Sequence, residues 1–186
     1  MKQQFMAHLA QQKFFEKVKQ MHPNYFSDVK VLDIGSLDIN GNVKHFFSYP
    51  YRYIGVDLSE GNNVDVVCPG HLYESGFKFD VVISAECFEH DMFYDRTIKN
   101  MIEQLRSGGL MIFTCATTGR PEHGTLRSLP QDAPFLVGID EEWANYYKNL
   151  TEDDIRAVID IDENFSSFEF IVEPISCDLH FWGIKK

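Results

Sequence analysis

The sequence predicts an α/β fold built on a mostly parallel sheet, and three observations lead to it. Short runs rich in β-branched and other apolar residues follow one another between residues 30 and 116, with little alternation of polar residues. Such runs are typical of strands that are covered on both faces. A helical stripe separates two of the runs, as a parallel crossover requires. Two later strand-like segments stand too close together for a helix between them, so they pair antiparallel or sit at an edge.

The start of the chain predicts a helix. Apolar residues recur there at helical spacing, namely Phe14, Phe15, Val18 and Met21, and His22-Pro23 closes the segment. We expect this helix to span about residues 2–22 and to pack on the core.

Five apolar runs predict the parallel strands: Lys30–Ile34, Tyr53–Asp57, Val64–Val67, Asp80–Ser84 and Leu110–Ala116. Between the fourth and fifth runs, Asp95–Arg106 carries one apolar stripe, which predicts the crossover helix. Gly108-Gly109 follows it and is the expected stop of that helix.

The last part of the chain predicts an irregular stretch, a helix and a hairpin. The irregular stretch covers Thr117–Ala144, and Thr151 then predicts a helix N-cap because three acidic residues follow it in the first turn. Phe168–Glu173 and Asp178–Ile184 are separated by a Pro-containing turn and predict the two closing strands.

Composition limits the classes of protein to consider. The 186 residues are 44% hydrophobic, which is enough for one substantial core, so we expect a single domain over residues 1–186. A net charge of −11, from 28 acidic and 17 basic residues, disfavours nucleic-acid binding, which draws on clustered cations. No apolar run is long enough to span a membrane, and the segment Met1–Gln20 is too polar for a signal peptide. We therefore expect a soluble, cytoplasmic protein with no membrane partner.

The cysteines and most histidines give no sign of a metal or redox site. The four cysteines are widely spaced and form no C-x-x-C pair, which predicts free thiols. Four histidines have no metal-ligand spacing with one another: His8, His22, His45 and His180. We predict no metal site.

Two of the predicted strands end in an acidic residue. Asp33 and Gly35 end the first strand, where a small-residue turn can leave backbone N–H groups exposed at the N-terminus of a following helix. Asp57 ends the second strand, and a carboxylate there can accept both hydroxyl hydrogens of a ribose. The two acids together predict a nucleoside site.

These segments resemble the class I S-adenosylmethionine-dependent methyltransferases, particularly their type 11 small-molecule branch. Phe79–His90 and Leu105–Leu110 share in the similarity, which runs from about Val29 to Ala116. The resemblance implies a single-domain Rossmann-like methyltransferase fold. Its seven-stranded, mostly parallel sheet would have the order 3-2-1-4-5-7-6, with an antiparallel terminal strand.

The resemblance also implies a set of cofactor-binding residues. Asp33 and Gly35 would lie by the methionine part, Asp57 on the ribose hydroxyls, Pro69–His71 beside the adenine, and Ala85 and Glu86 next to the sulfonium. The full expected set is Asp33, Gly35, Ser36, Asp57, Leu58, Gly70, His71, Ala85 and Glu86. S-adenosylhomocysteine would be the product.

The chain departs from the family pattern at two places. The first loop of the family commonly has the pattern D-x-G-x-G-x-G. In this chain Leu37 stands at a usual glycine position, so the loop geometry must differ. Many relatives carry an acidic residue beside the adenine, where this chain reads Cys68-Pro69-Gly70-His71.

Candidate catalytic residues fall on the predicted loops after the fourth and fifth strands: Glu89, His90, Glu122 and His123. Methyl transfer needs chiefly an aligned nucleophile and in some cases the removal of its proton, for which histidine is suited. We predict His123 as the base, with His90 as the second choice and Glu122 as a residue that orients His123.

The sequence therefore predicts a methyltransferase enzyme that acts on a small molecule or a saccharide. A non-catalytic scaffold or regulatory domain that binds S-adenosylmethionine or S-adenosylhomocysteine is the alternative. A nicotinamide-dependent oxidoreductase is disfavoured, because G-x-G-x-x-G is absent after the first strand. The methyl acceptor and the oligomeric state stay open.

Overall fold

The computed structural model describes residues 2–39, 41–49, 52–132 and 140–186. Its strands are β1 (Lys30–Ile34), β2 (Arg52–Asp57), β3 (Val66–Val67), β4 (Phe79–Ala85), β5 (Leu105–Ala116), β6 (Phe165–Glu173) and β7 (Asp178–Lys185). They form a seven-stranded sheet in the order β3-β2-β1-β4-β5-β7-β6. The first five strands are parallel, and β7 runs antiparallel to β5 and β6. The predicted fold class and strand order are confirmed.

The helices are α1 (Lys2–Met21), α2 (Tyr94–Gln104), α3 (Glu141–Ala144), α4 (Glu152–Val158) and α5 (Ile161–Asn164). In the part of the chain described here, none of them is long and apolar enough to cross a membrane. The sequence did not predict α3 or α5. Residues 133–139 of the stretch predicted to be irregular lie outside the described residues.

Helix α1 packs on the sheet through Phe14, Phe15 and Val18, which are buried. The ring of Phe14 stacks on His180 of β7, with centroids 4.6 Å apart. Met21, the last member of the predicted apolar stripe, is 40% exposed instead. It is the last residue of the helix, and the 3-10 turn Pro23–Tyr25 follows it.

Both faces of the sheet are covered. Neighbouring strand residues point to opposite faces, so Val82 joins a core with Ile98 of α2 while Val81 joins a second core with Phe15 of α1. This double burial explains why the parallel strands show little alternation in sequence.

The crossover helix ends earlier than predicted. Its last residue is Gln104, and Leu105 is already extended and pairs with Phe79 of β4. Gly108-Gly109 is therefore not a helix stop but part of a bulge, after which β4 and β5 pair again at Val81 and Leu110. Gly108 suits the bulge because its φ is +67°.

The N-cap of α4 is confirmed. The Thr151 hydroxyl accepts the backbone N–H of Asp154, and the Asp154 carboxylate accepts the backbone N–H of Thr151 at 2.9 Å. This reciprocal pair satisfies two N–H groups that a helix start leaves free. Ile155 is fully buried on the side of α4 that faces the core.

Candidate active site

Three strand ends meet at one edge of the sheet. β1 lies between β2 and β4, so Gly35 after β1, Asp57 at the end of β2 and Glu86 after β4 come close together. β1 pairs with β2 on one side and with β4 on the other, so the strand order changes direction at β1. Such a switch point opens a crevice at the carboxyl edge, where sheets of this kind bind ligands.

Asp57 holds the backbone at the entrance to this crevice. One carboxylate oxygen accepts the N–H of Leu37 at 3.0 Å and the other accepts the N–H of Leu58 at 2.7 Å. Burial raises the pKa of Asp57, and these backbone bonds partly oppose that rise. Each carboxylate oxygen has a second lone pair, so the group can still accept hydroxyl hydrogens.

Asp33 is placed differently from Asp57. Its carboxylate is buried and accepts the Tyr53 hydroxyl at 2.7 Å and the Asn63 side-chain amide at 3.3 Å. Burial raises the pKa of Asp33 to about 7 in spite of these two bonds. Asn63 also donates to the carbonyl of Ser36 at 3.0 Å, so this network supports the loop after β1 from beneath. The proposed contact of Asp33 with a cofactor stays a prediction.

The loop after β1 is closed by internal contacts. The N–H groups of Gly35 and Ser36 both bond to the carbonyl of Val56, at 2.9 and 3.2 Å. The expectation of free N–H groups at the start of a following helix is therefore wrong. Between β1 and β2, the described residues form only the short 3-10 turn Lys44–Phe46.

Leu37 fits this loop because glycine stands opposite it. A Cβ on Gly61 would collide with Leu37 Cδ1, so the leucine side chain lies over the bare glycine backbone. Gly35 is equally constrained, since its φ is +76° and a Cβ there would lie 2.5 Å from Cys87 Sγ. The departure at Leu37 is thus accommodated by the loop between β2 and β3.

An apolar wall stands beside Asp57. Leu58 and Phe93 both pack against the cluster of Trp143 and Ala144, and the ring of His71 lies 4.6 Å from that of Phe93. Gly70 is buttressed by Asn100, whose amide donates to its carbonyl at 2.8 Å. Leu58, Gly70 and His71 belong to the predicted cofactor set, whereas Phe93 does not, because no sequence motif surrounds it.

Two acidic residues after β4 are buried without a partner. The carboxylate oxygens of Glu86 and Glu89 are inaccessible, and none of them has a hydrogen-bond partner among the described residues. Burial is the largest cause of the raised pKa of both groups. Glu86 also has a φ of +54°, an uncommon backbone state that marks the sharp turn after Ala85.

His90 and His123 converge beside these carboxylates. Their rings are edge-to-face with centroids 5.0 Å apart, and Tyr147 lies 5.5 Å from the first and 5.2 Å from the second. Burial lowers the pKa of His90 to about 3, and it also lowers the pKa of His123. Both imidazoles are therefore neutral at pH 7.

Hydrogen bonds hold His123 by its ring and His90 by its backbone. The Nδ1 of His123 lies 3.1 Å from the carbonyl of Pro121, which can only accept, so Nδ1 carries the proton and Nε2 keeps a lone pair. Trp143 Nε1 donates to the carbonyl of His90 at 2.8 Å. Glu122 does not orient His123 as predicted, because its carboxylate accepts the Thr125 hydroxyl at 2.6 Å and pairs with Arg127.

A buried ion pair lies near the carboxylates and histidines just described. Arg120 donates to the Asp178 carboxylate at 2.7 Å and to the carbonyl of Ser176 at 2.9 Å. Both side chains of the ion pair are almost inaccessible to solvent. Arg120 lies on the loop after β5, and no local sequence signal points to its partner in β7.

No protein-family model matches the chain, and no curated protein sequence does. Solved structures do match. The chain is similar to the magnesium protoporphyrin IX methyltransferase of Synechocystis PCC 6803, with a TM-score of 0.61, 12% identity, and coverage of 97% of this chain and 81% of that one. It is also similar to the N-methyltransferase NodS of Bradyrhizobium japonicum WM9, with a TM-score of 0.58, 12% identity, and coverage of 94% and 95%.

A third similar structure is the 1,6-didemethyltoxoflavin-N1-methyltransferase of Burkholderia thailandensis with bound S-adenosylhomocysteine. Its TM-score is 0.59 at 16% identity, over 89% of this chain and 74% of that one. At such low identities, these likenesses show a shared fold.

Proposed function

We propose that this chain, which has the class I methyltransferase fold, is an S-adenosylmethionine-dependent methyltransferase that acts on a small molecule or saccharide. The observation that carries the proposal is the crevice at the carboxyl edge, where Asp57 offers lone pairs beside the Leu58–Phe93–Trp143 wall. Each of the three similar structures described above is a methyltransferase, and that of Burkholderia thailandensis holds S-adenosylhomocysteine.

The polar groups around the crevice fit such a cofactor. Asp57 would hold the ribose hydroxyls, and His71, whose buried Nδ1 has no partner among the described residues, would lie on the adenine side. Ser36 Oγ and the Glu86 carboxylate, which follow β1 and β4, are also buried, and neither forms a hydrogen bond with the described residues. When bound, S-adenosylmethionine supplies a methyl group activated by its sulfonium.

The acceptor would lie against His90, His123 and Tyr147. Both histidines are neutral at pH 7, so each offers a lone pair on this side of the crevice. That lone pair can take a proton from the acceptor or bind a cation. Tyr147 donates to the carbonyl of Pro121 at 3.3 Å and keeps the loop that carries His123 in place.

Calorimetry tests the first half of the proposal. Titration of the purified chain with S-adenosylmethionine and with S-adenosylhomocysteine should give one site, and failure of both ligands to bind would contradict the proposal. Turnover tests the second half: candidate acceptors should cause S-adenosylhomocysteine to accumulate. Binding without turnover over a broad acceptor panel would favour the non-catalytic scaffold instead.

A further inference from the structure

We propose that Glu89, His90 and His123 form a binding site for a divalent transition-metal ion. One ligand atom from each residue, a carboxylate oxygen or a ring nitrogen, lies within 4.8 Å of the other two. Ligand bonds of about 2.0–2.2 Å would bring such atoms to about 3–4 Å from one another, so small side-chain rotations close the site. The sequence predicts no metal site, and only the fold brings His123 to Glu89 and His90, which lie on a different loop.

The ligand chemistry suits a first-row transition ion. Two imidazoles and one carboxylate are the donors typical of catalytic zinc and of non-haem iron sites, and both leave coordination positions open. Magnesium and calcium prefer oxygen donors throughout, so they fit less well.

His123 already makes the hydrogen bond that is typical of a metal-binding histidine. Metal-binding histidines usually donate their other ring N–H to a carbonyl or carboxylate, which fixes the tautomer and leaves one nitrogen for the ion. The Nδ1–H of His123 donates to the Pro121 carbonyl at 3.1 Å. This leaves Nε2 as the free ligand atom.

Glu89 supplies the strongest reason for a cation. It is fully buried, and although the backbone N–H groups of Glu89 itself and of Ala116 face its carboxylate, none reaches hydrogen-bond geometry in the residues that the structure describes. A buried carboxylate without a partner is costly unless it is neutralised or coordinates a metal.

The nearby cation is already engaged. Arg120 pairs with Asp178 at 2.7 Å, and neither Glu86 nor Glu89 takes part in an ion pair within the described ranges. Three carboxyl groups thus face one guanidinium, and a divalent ion would balance the remaining charge. A general base alone would need neither the carboxylate nor the second histidine.

The site also bears on the acceptor, and this step rests on the proposed function. An ion with open positions beside the crevice would bind an oxygen or nitrogen donor of the acceptor and hold it toward the cofactor side. Metal binding itself needs neither cofactor nor acceptor, so the metal site and the methyltransferase function can be contradicted independently of each other.

The test uses the untagged full chain, stripped with a chelator and titrated with Co²⁺ and with Zn²⁺ in the absence of other ligands. We expect one equivalent to bind, with a dissociation constant below about 10 µM, and Co²⁺ to develop visible absorption bands. No stoichiometric binding of either ion would overturn the site.

Variants then assign the ligands. His123→Ala, His90→Ala and Glu89→Gln should each weaken binding by about 100-fold or more, since loss of a group that only orients a ligand already costs about 10–100-fold. The exposed His45→Ala is the matched control and should bind as the unaltered chain does. If Glu89→Gln fails to fold, the half-buried His123 carries the test, and unchanged binding in a folded His123→Ala would contradict the assignment.

Discussion

The carboxylate of Asp57 accepts the backbone N–H of Leu37 at 3.0 Å, so the acid that ends β2 also holds the loop that follows β1. The two sides of the crevice are therefore coupled. A substitution at Asp57 would remove the proposed ribose contact and also release the loop after β1.

Asp57→Ala should weaken binding of S-adenosylmethionine about ten- to hundredfold, because a charged acceptor for the ribose hydroxyls is lost. Isothermal titration calorimetry on the folded variant measures this. Glu60→Ala is the control, since it removes an exposed carboxylate from the same loop and should leave the affinity unchanged. Equal affinity in Asp57→Ala would remove Asp57 from the site.

Gly35→Ala should lower the free energy of unfolding by about 1–3 kcal/mol, because the new Cβ would clash with Cys87 and an alanine would be strained at this backbone angle. The relevant values are a distance of 2.5 Å and a φ of +76°. Denaturant unfolding with Gly76→Ala as control tests this, since nothing lies within 4 Å of a Cβ at Gly76. Similar losses in the two variants would argue against a tight contact at Gly35.

His180 should make the fold sensitive to acid. Burial lowers its pKa from 6.5 to about 4, so between these pH values the unfolded chain binds a proton that the native chain does not. Acidification through this window therefore favours unfolding, and the effect levels off below about pH 4.

His180→Phe keeps the aromatic contact with Phe14 and removes the titrating group. Its stability relative to the unaltered chain should rise by about 1.4 kcal/mol per pH unit as the pH falls from 6.5 toward 4. Comparison of the two unfolding curves at each pH cancels the other titrating groups. A difference that does not vary with pH would show that His180 is not held neutral.

Arg120→Met should destabilise the protein by about 3–5 kcal/mol, because it leaves the carboxylate of Asp178 buried and unpaired. Arg127→Met is the matched control, since it breaks an ion pair with Glu122 that is largely exposed. That loss should stay below about 1 kcal/mol. Thermal and denaturant unfolding should separate the two variants clearly, and equal losses would mean that the buried pair contributes little.

The sequence predicted those parts of the fold whose signals are local. The bounds of β1 and the cap at Thr151 depend on neighbouring residues, and both are found as expected. The end of α2 does not depend on neighbouring residues. Leu105 leaves the helix because it pairs with Phe79, which lies far back in the sequence. Strand pairing of this kind overrides the glycine signal at Gly108.

In the candidate site, too, the sequence predicts residues with a local signal and not those whose contacts are long-range. Asp57 could be found because an acid that ends an apolar strand is visible in sequence. The partners of Asp33 could not, since Tyr53 reaches it from the paired strand β2 and Asn63 from the loop between β2 and β3. Glu122 was wrongly paired with His123 because Thr125 and Arg127, equally close in sequence, bind it instead.

The position of β7 between β5 and β6 imposes an order on synthesis. The ribosome releases β6 before β7, yet β6 can join the sheet only through β7. Until β7 has emerged, the edge of β5 stays open and β6 has no place to dock. The nascent chain therefore carries an unpaired strand edge from the time β5 emerges until β7 emerges, and this is the interval in which a chaperone would matter most for its yield.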